Sequence, residues 1–310
     1  MDNHTIAVIG TGAIGGYYGA RLHHAQCQVH FLFHSDFDHV TQHGLKVDSQ
    51  EGNFSIPAEA INAYQNSQDM PAADIILVAL KTTQNALLPQ LLKPILKPNS
   101  TIVLLQNGIA GEQVIAEQLS HSQIGGGLCF ICSNKVGPGH IHHIDYGNLT
   151  LGRLNPECDS HINWLTEQFQ AAGVGADFAG DIVSARWKKL LWNVPFNGLS
   201  TILNADTAQM MATEQIVELA RDIMLEVIAA ANAHGTALDS AVVDTMINNT
   251  AKMQPYLTSM LLDYRNGREL EIEYMYKNML DIAAKIGVPM HKTETLYQQL
   301  CFINQKIQTR

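Results

Sequence analysis

Residues 5–16, read as Thr-Ile-Ala-Val-Ile-Gly-Thr-Gly-Ala-Ile-Gly-Gly, limit the fold of this chain more than any other stretch. The apolar run at residues 6–9 predicts a buried strand, and residues 17–22 continue as a helix, so the glycines between them form a strand-to-helix turn. Gly10, Gly12 and Gly15 stand in G-x-G-x-x-G register. The first permits the tight turn off the strand, and the second lets a pyrophosphate approach bare backbone. The third lets the helix lie against the strand with its N–H groups aimed at the phosphates. Glycine pairs are common in turns, so the flanking strand and helix carry the argument. They make Gly10, Thr11, Gly12, Ala13, Ile14 and Gly15 an expected dinucleotide cradle rather than a bare βα turn.

A helix over residues 13–24 and a second strand over 28–33 complete a β-α-β unit of the length this fold requires. The residues just past the second strand choose the cofactor. A carboxylate there accepts from the ribose hydroxyls and favours NAD, whereas a basic or small polar residue admits a 2′-phosphate. This chain has His34-Ser35-Asp36. His34 and Ser35 can donate to a phosphate and lean toward NADP(H), Asp36 keeps the lean modest, and a solvated loop histidine is an equal reading of His34.

Composition excludes several other functions. The chain carries a net charge of −10 with a pI near 5.7, which argues against a nucleic-acid partner. No apolar run reaches the ~20 residues of a membrane span, and the N-terminus lacks a basic-then-apolar leader, so no membrane partner is expected and a cytoplasmic setting is. Five cysteines with irregular spacing imply no disulfide framework. Cys129-Phe130-Ile131-Cys132 has C-x-x-C form, but it lies in an apolar stretch that reads as a strand, and no second pair accompanies it. The histidines lack companions at metal-ligand spacing, so no metal is expected. Only 15% of residues are charged, which points to large buried surfaces and allows a homodimer without specifying one.

Two short antiparallel strands are predicted at 45–48 and 52–56, an excursion from the main sheet. Residues 73–80 and 101–105 are continuous apolar runs, as strands buried on both faces should be. They end in Lys81 and in Gln106-Asn107-Gly108, at the edge where doubly wound sheets bind ligands. Gly108 allows the backbone there to turn away from a bound nicotinamide. Further strands are expected near 124–132, 140–146 and 149–152, then a helix over 159–172 and a turn region over 173–180. From residue 181 the apolar spacing becomes i, i+3, i+4 over 182–203, 213–234, 241–248 and 273–286. The division is therefore an α/β domain, residues 1–180, and a helical domain, residues 181–310.

In the first of these helices Lys189, Asn193 and Asn197 recur at i, i+4 and i+8 and share a face. A lysine with two carboxamides among Trp187, Leu190, Leu191 and Phe196 is unusual for a solvated stripe, which more often uses Glu, Lys and Arg. Pro195 removes a helix donor and should bend the helix. Residues 256–272 form a second candidate segment.

With these stretches in order from end to end, the chain resembles the ketopantoate reductase (2-dehydropantoate 2-reductase) family. The resemblance rests on the glycine turn, Lys81, Gln106-Asn107-Gly108, the Trp187-to-Asn197 pattern, Ser259-Met260-Leu261-x-Asp263 and Glu269-Leu270-Glu271. It implies a Rossmann doubly wound domain joined to an all-helical domain like the C-terminal domain of 6-phosphogluconate dehydrogenase, with the active site in the cleft between them. It further implies NADPH-dependent reduction of a small 2-oxo acid, 2-dehydropantoate, to pantoate, a step toward coenzyme A. By position, Lys189 matches the catalytic lysine, Asn193 and Asn197 the substrate-contacting asparagines, and Ser259 a serine near the substrate carboxylate. Asn107 matches the asparagine at the nicotinamide, Lys81 a lysine on the cofactor side, and Glu271 a glutamate contacting cofactor and substrate.

Those residue types suit the chemistry. Hydride transfer to a ketone builds alkoxide charge, which an ammonium can stabilise and protonate. Burial against Trp187 and the nicotinamide would lower the Lys189 pKa, and Glu271 would oppose that fall. Where the family often carries an arginine for the 2′-phosphate, this chain has His34. Thr258 and Pro195 read either as ordinary variation or as marks of a changed pocket. Two rivals remain: reduction of another small 2-oxo acid on the same scaffold, and a non-catalytic NADP-sensing protein, against which the retained Lys189, Asn193, Asn197, Ser259 and Glu271 argue.

Overall fold

In the computed structural model, which describes residues 4–121 and 123–309, strand β1 (Thr5–Ile9) runs into helix α1 (Ala13–His24) and then into β2 (Gln28–Leu32). Helix α2 (Phe37–His43) leads to β3 (Leu45–Ser49), β4 (Phe54–Ile56) and β5 (Asn62–Tyr64). Then follow β6 (Ala73–Val78), α3 (Leu88–Leu92), β7 (Leu96–Leu104) and α4 (Gly111–Leu119). A long hairpin, β8 (Ile124–Gly137) and β9 (His140–Arg153), precedes α5 (Asp159–Ala171) and β10 (Ala176–Asp181). The ten strands form one sheet in the order β4-β3-β9-β8-β7-β6-β1-β2-β5, with β10 beside β9.

Its centre is parallel: β1 pairs with β2 and β6, and β6 with β7. Ile6, Ala7, Val8 and Ile9 are fully buried, as are Ile75 to Val78, because helices or hairpin cover both faces. This parallel core, with its crossover helix entered through a glycine turn, is the Rossmann arrangement. It places the ends of β1, β2, β6 and β7 at one edge.

The hairpin does more than extend the sheet. Near its base β8 pairs with β7, Ile102 opposite Ile124, while the far part of β9 pairs with β3, His140 to His143 opposite Lys46 to Ser49. Irregularities between Phe130 and Ile131 and between Cys132 and Ser133 bend β8 along the way. The hairpin lies over α1, where the added Cβ of an alanine at Gly16 would press on Ile141 of β9.

Two expectations differ from the structure. Residues 140–146 and 149–152 are one strand, β9, because Tyr146 and Gly147 take positive φ of 61° and 124° in an irregularity that interrupts the period of two without ending the pairing. The turn region at 173–180 contains a strand instead: Ala176 to Phe178 pair in parallel with Leu149 to Leu151. At the sheet's margin, only one side of the segment is buried, and its Asp and Gly residues hide the alternation.

The chain divides into two units, Met1–Gln106 with Gly111–Ile182, and Asn107–Ala110 with Val183–Arg310. The second is helical: α6 (Ile182–Leu203), α7 (Thr207–Met211), α8 (Glu214–Ala233), α9 (Ala241–Lys252) and α10 (Ser259–Arg265). A π-helical turn (Glu273–Lys277) then runs into α11 (Asn278–Lys285), and α12 (His291–Gln308) closes the unit. Trp187, Leu191, Val194 and Phe196 of α6 pack with Met224 and Val227 of α8 and Leu296 and Leu300 of α12. Ile109 belongs to the same core although the sequence places it just after β7. Among the described residues no helix is long and apolar enough to cross a membrane.

Candidate active site

In the first unit the glycine turn has the shape its spacing requires. Gly10 has φ of 96°, and a Cβ there would lie 2.7 Å from the Leu80 nitrogen. A Cβ on Gly15 would collide with the Gly10 carbonyl, so only glycine lets α1 start this close to β1. A Cβ on Gly12 would meet nothing within 4 Å, so the space in front of it is open. Gly12 is also the N-cap of α1, without a side-chain cap and with no acidic residue in the first turn. Unclaimed backbone donors facing open space fit a pyrophosphate. Thr11 ties the turn to β2, its hydroxyl donating to the Leu32 carbonyl at 3.2 Å.

At the end of β2, His34 and Ser35 are exposed and Asp36 is buried. The Asp36 carboxylate is already satisfied. Oδ1 accepts from Lys135 Nζ at 2.6 Å and from the Ser35 hydroxyl at 3.0 Å, and Oδ2 accepts from the Gly139 N–H at 3.0 Å. Burial alone would raise its pKa, but these hydrogen bonds outweigh burial and hold it below the ordinary carboxylate range. Asp36 therefore spends its acceptor capacity on the hairpin, and Ser35 spends its proton on Asp36.

Lys81 is exposed just past β6, at the start of a short turn over Thr82–Leu87. Gln106 pins that turn to the end of β7, its Nε2 donating to the Leu80 carbonyl at 2.8 Å and to Asn85 Oδ1 at 2.6 Å. Asn85 Nδ2 is buried with no partner among the described residues, a donor left over at the sheet's ligand edge.

In the second unit α6 presents the lysine–carboxamide face. Lys189 is half-buried beside the exposed Lys188, while Asn193 and Asn197 are 7% and 3% exposed. Lys189 Nζ donates to Asn107 Oδ1 at 2.8 Å, joining two residues that sequence reasoning named separately. Asn197 holds α6 to α10: its Nδ2 donates to the Asn193 carbonyl at 3.0 Å, and its Oδ1 faces the Met260 N–H at 3.4 Å and the exposed Ser259 hydroxyl at 3.5 Å. Glu271 is buried, and the preceding residue is fixed where Leu270 N–H donates to Asn304 Oδ1 at 2.8 Å.

Trp187, expected to bury Lys189, is itself fully buried on α6. Two residues apart is about 200° around a helix, and the Trp187 indole donates to His234 Nδ1 at 3.2 Å. Thr258 is fully buried, caps α10 by accepting from the Leu261 N–H at 3.2 Å, and pairs with Ser200 Oγ at 2.7 Å, so its role is structural. Helix α6 runs unbroken through Pro195.

Sequence reasoning missed what holds Asn107. The Ile109 N–H donates to the Tyr274 carbonyl at 2.9 Å, and Asn278 Nδ2 donates to the Ile109 carbonyl at 3.1 Å. Gly108, with φ of 93°, is needed because a Cβ would lie 2.7 Å from Tyr274 Cβ. The extra residue of the π-helical turn presents that carbonyl, a placement no pattern of apolar residues announces.

A glycine turn open to a pyrophosphate on a Rossmann sheet and a lysine ammonium bonded to Asn107 fit an oxidoreductase. Residues 6–156 match the family described as ketopantoate reductase PanE/ApbA, and residues 181–304 match its C-terminal domain. The chain is 45% identical to a 2-dehydropantoate 2-reductase of Nostoc sp. over 314 residues, covering 100% of this chain and 98% of that one. Its fold matches the crystal structure of 2-dehydropantoate 2-reductase from Geobacter metallireducens with a TM-score of 0.92 at 38% identity, over 96% and 98% of the two chains. For 2-dehydropantoate 2-reductase from Methylococcus capsulatus the TM-score is 0.90 at 30% identity, over 98% and 97%. The chain belongs to the ketopantoate reductase family.

Proposed function

We propose that the chain reduces 2-dehydropantoate to (R)-pantoate with NADPH, in the cytoplasm, as a step toward coenzyme A. The observation that carries this reading is the Lys189–Asn107 hydrogen bond of 2.8 Å, set on a helix face with the buried Asn193 and Asn197. The relative from Nostoc, named for this reaction, supports the choice of substrate.

A nicotinamide coenzyme, when bound, supplies the hydride. The glycine turn would hold its pyrophosphate through the N–H groups of α1, with Lys81 on the cofactor side. As the ketone is reduced, negative charge develops on its oxygen. Lys189 donates a hydrogen bond to that oxygen and then the proton, so alkoxide never stands uncompensated. Asn107 aims the ammonium by accepting one of its N–H bonds at 2.8 Å. Asn193, Asn197 and Ser259 orient the hydroxyl and carboxylate of the oxo acid without adding charge to compete with Lys189. Glu271, in the loop before the π-helical turn, would contact substrate and cofactor. NADPH is favoured over NADH because Asp36, the carboxylate that would accept from an unmodified ribose, is buried and taken.

The test is the initial rate of NADPH consumption with 2-dehydropantoate, beside NADH and a panel of small 2-oxo acids. Saturable turnover of 2-dehydropantoate with NADPH preferred is the expected result. Turnover of a different oxo acid would overturn the substrate, and equal use of NADH would overturn the cofactor preference.

A further inference from the structure

The end of β2 is usually where a dinucleotide fold settles NAD against NADP, using residues of that loop alone. Here the loop cannot do so unaided. Ser35 directs its hydroxyl proton to Asp36, and Asp36 is buried, which leaves His34 as the exposed donor of the three. The cation at this place comes from elsewhere in the chain. Lys135 lies on β8, 99 residues from Asp36, and its Nζ reaches Asp36 Oδ1 at 2.6 Å.

Strand β8 brings that lysine to the nucleotide edge by a second contact. Ser133, two residues earlier and so on the same side of the strand, donates to the Ala13 carbonyl in the first turn of α1 at 3.3 Å. Ser133 thus touches the glycine turn while Lys135 touches the end of β2. Thr11, donating to Leu32, closes the same small circuit. The Gly139 N–H on Asp36 Oδ2 locks the hairpin tip to the loop, so this placement is built from three independent hydrogen bonds.

We propose that Lys135 is the residue that selects a 2′-phosphorylated nucleotide in this chain, its ammonium shared between Asp36 and the 2′-phosphate. The inference rests on the NADPH reading above and deepens it. Lys135 carries three N–H donors, and Asp36 Oδ1 takes one. The others are free to meet a phosphate together with the His34 ring. Asp36 acts as a positioning residue: it anchors a long, flexible side chain that would otherwise lose rotamer freedom on binding. The side chain of Lys135 remains 35% exposed, so a ligand can reach it.

The test is calorimetric titration of the full chain with adenosine 2′,5′-bisphosphate and with 5′-AMP, which differ by the phosphate in question. The wild type should bind the bisphosphate more tightly. Lys135→Gln should weaken the bisphosphate by about tenfold or more, the loss of a charge-assisted contact, and move 5′-AMP by less than about twofold. Lys135→Arg should retain the discrimination. Because Lys135→Gln leaves Asp36 buried without its cation, the pair Asp36→Asn with Lys135→Gln serves as a second variant, and it should lose the discrimination equally. Retention of wild-type discrimination by both glutamine variants would overturn the role of Lys135 and leave the NADPH reading standing. Equal binding of the two nucleotides by the wild type would overturn both.

Discussion

Lys188 and Lys189 are neighbours in sequence and opposite in circumstance. One projects into solvent, and the other is half-buried with its ammonium on Asn107. Only the second has a defined direction, which a proton donor needs. Lys189→Ala should lower kcat by about 10²–10⁴-fold, while NADPH affinity measured by fluorescence titration stays close to wild type, since the glycine turn is untouched. Lys188→Ala is the internal control. An unchanged kcat in Lys189→Ala would remove this residue from the chemistry. That Lys189, Asn193 and Asn197 share a face was legible from their spacing alone. That Asn107 lies at the end of that face was not, because the bond spans 82 residues. Likewise the sequence left Thr258 open between ordinary variation and a changed pocket, and only its burial and its bond from the Leu261 N–H show a cap.

Among the elements, the strands whose burial is two-sided were legible because continuous apolar runs have no other use. The edge strand β10 and the bulged β9 were not, since half-buried or irregular strands dilute the pattern. Helix α5 was legible, and the structure adds a titration to it. His161 Nδ1 lies 2.7 Å from Thr101 Oγ1 on β7, and its ring meets that of His4 edge-on at 4.8 Å. Burial, with the charge of His4 added, lowers its pKa from the ordinary 6.5. The folded chain thus keeps this ring neutral where the unfolded chain already takes a proton. The associated stability is complete above pH 6.5 and is lost as pH falls from there through the lower folded value. His30, lowered by its own burial, acts with the same sign. His161→Gln should therefore make the fall in Tm between about pH 7 and 5 shallower without abolishing it. A slope identical to wild type would place the acid sensitivity elsewhere.

At the scale of the molecule, the division into residues 1–180 and 181–310 describes the sequence grain but not the packing. Asn107–Ala110 leaves the sheet unit, joins the helical unit, and returns at Gly111, so the chain crosses between units three times, after residues 106, 110 and 182. Ile109 is 1% exposed in the helical core, and its two backbone groups are bound by Tyr274 and Asn278. A surface connection would tolerate truncation there within about 0.5 kcal/mol. A core position should not, and Ile109→Ala is expected to cost about 2–5 kcal/mol, read as a lowered midpoint in urea. The same variant should lower kcat more than it raises the Kd of NADPH, because slackening residue 109 releases Asn107 and with it the aim of Lys189. Residues 181–310 expressed alone lack both Ile109 and Asn107, and should melt less cooperatively than the corresponding part of the intact chain. A loss below about 0.5 kcal/mol in Ile109→Ala would mean that the segment is a linker after all, and that Lys189 is held by α6 alone.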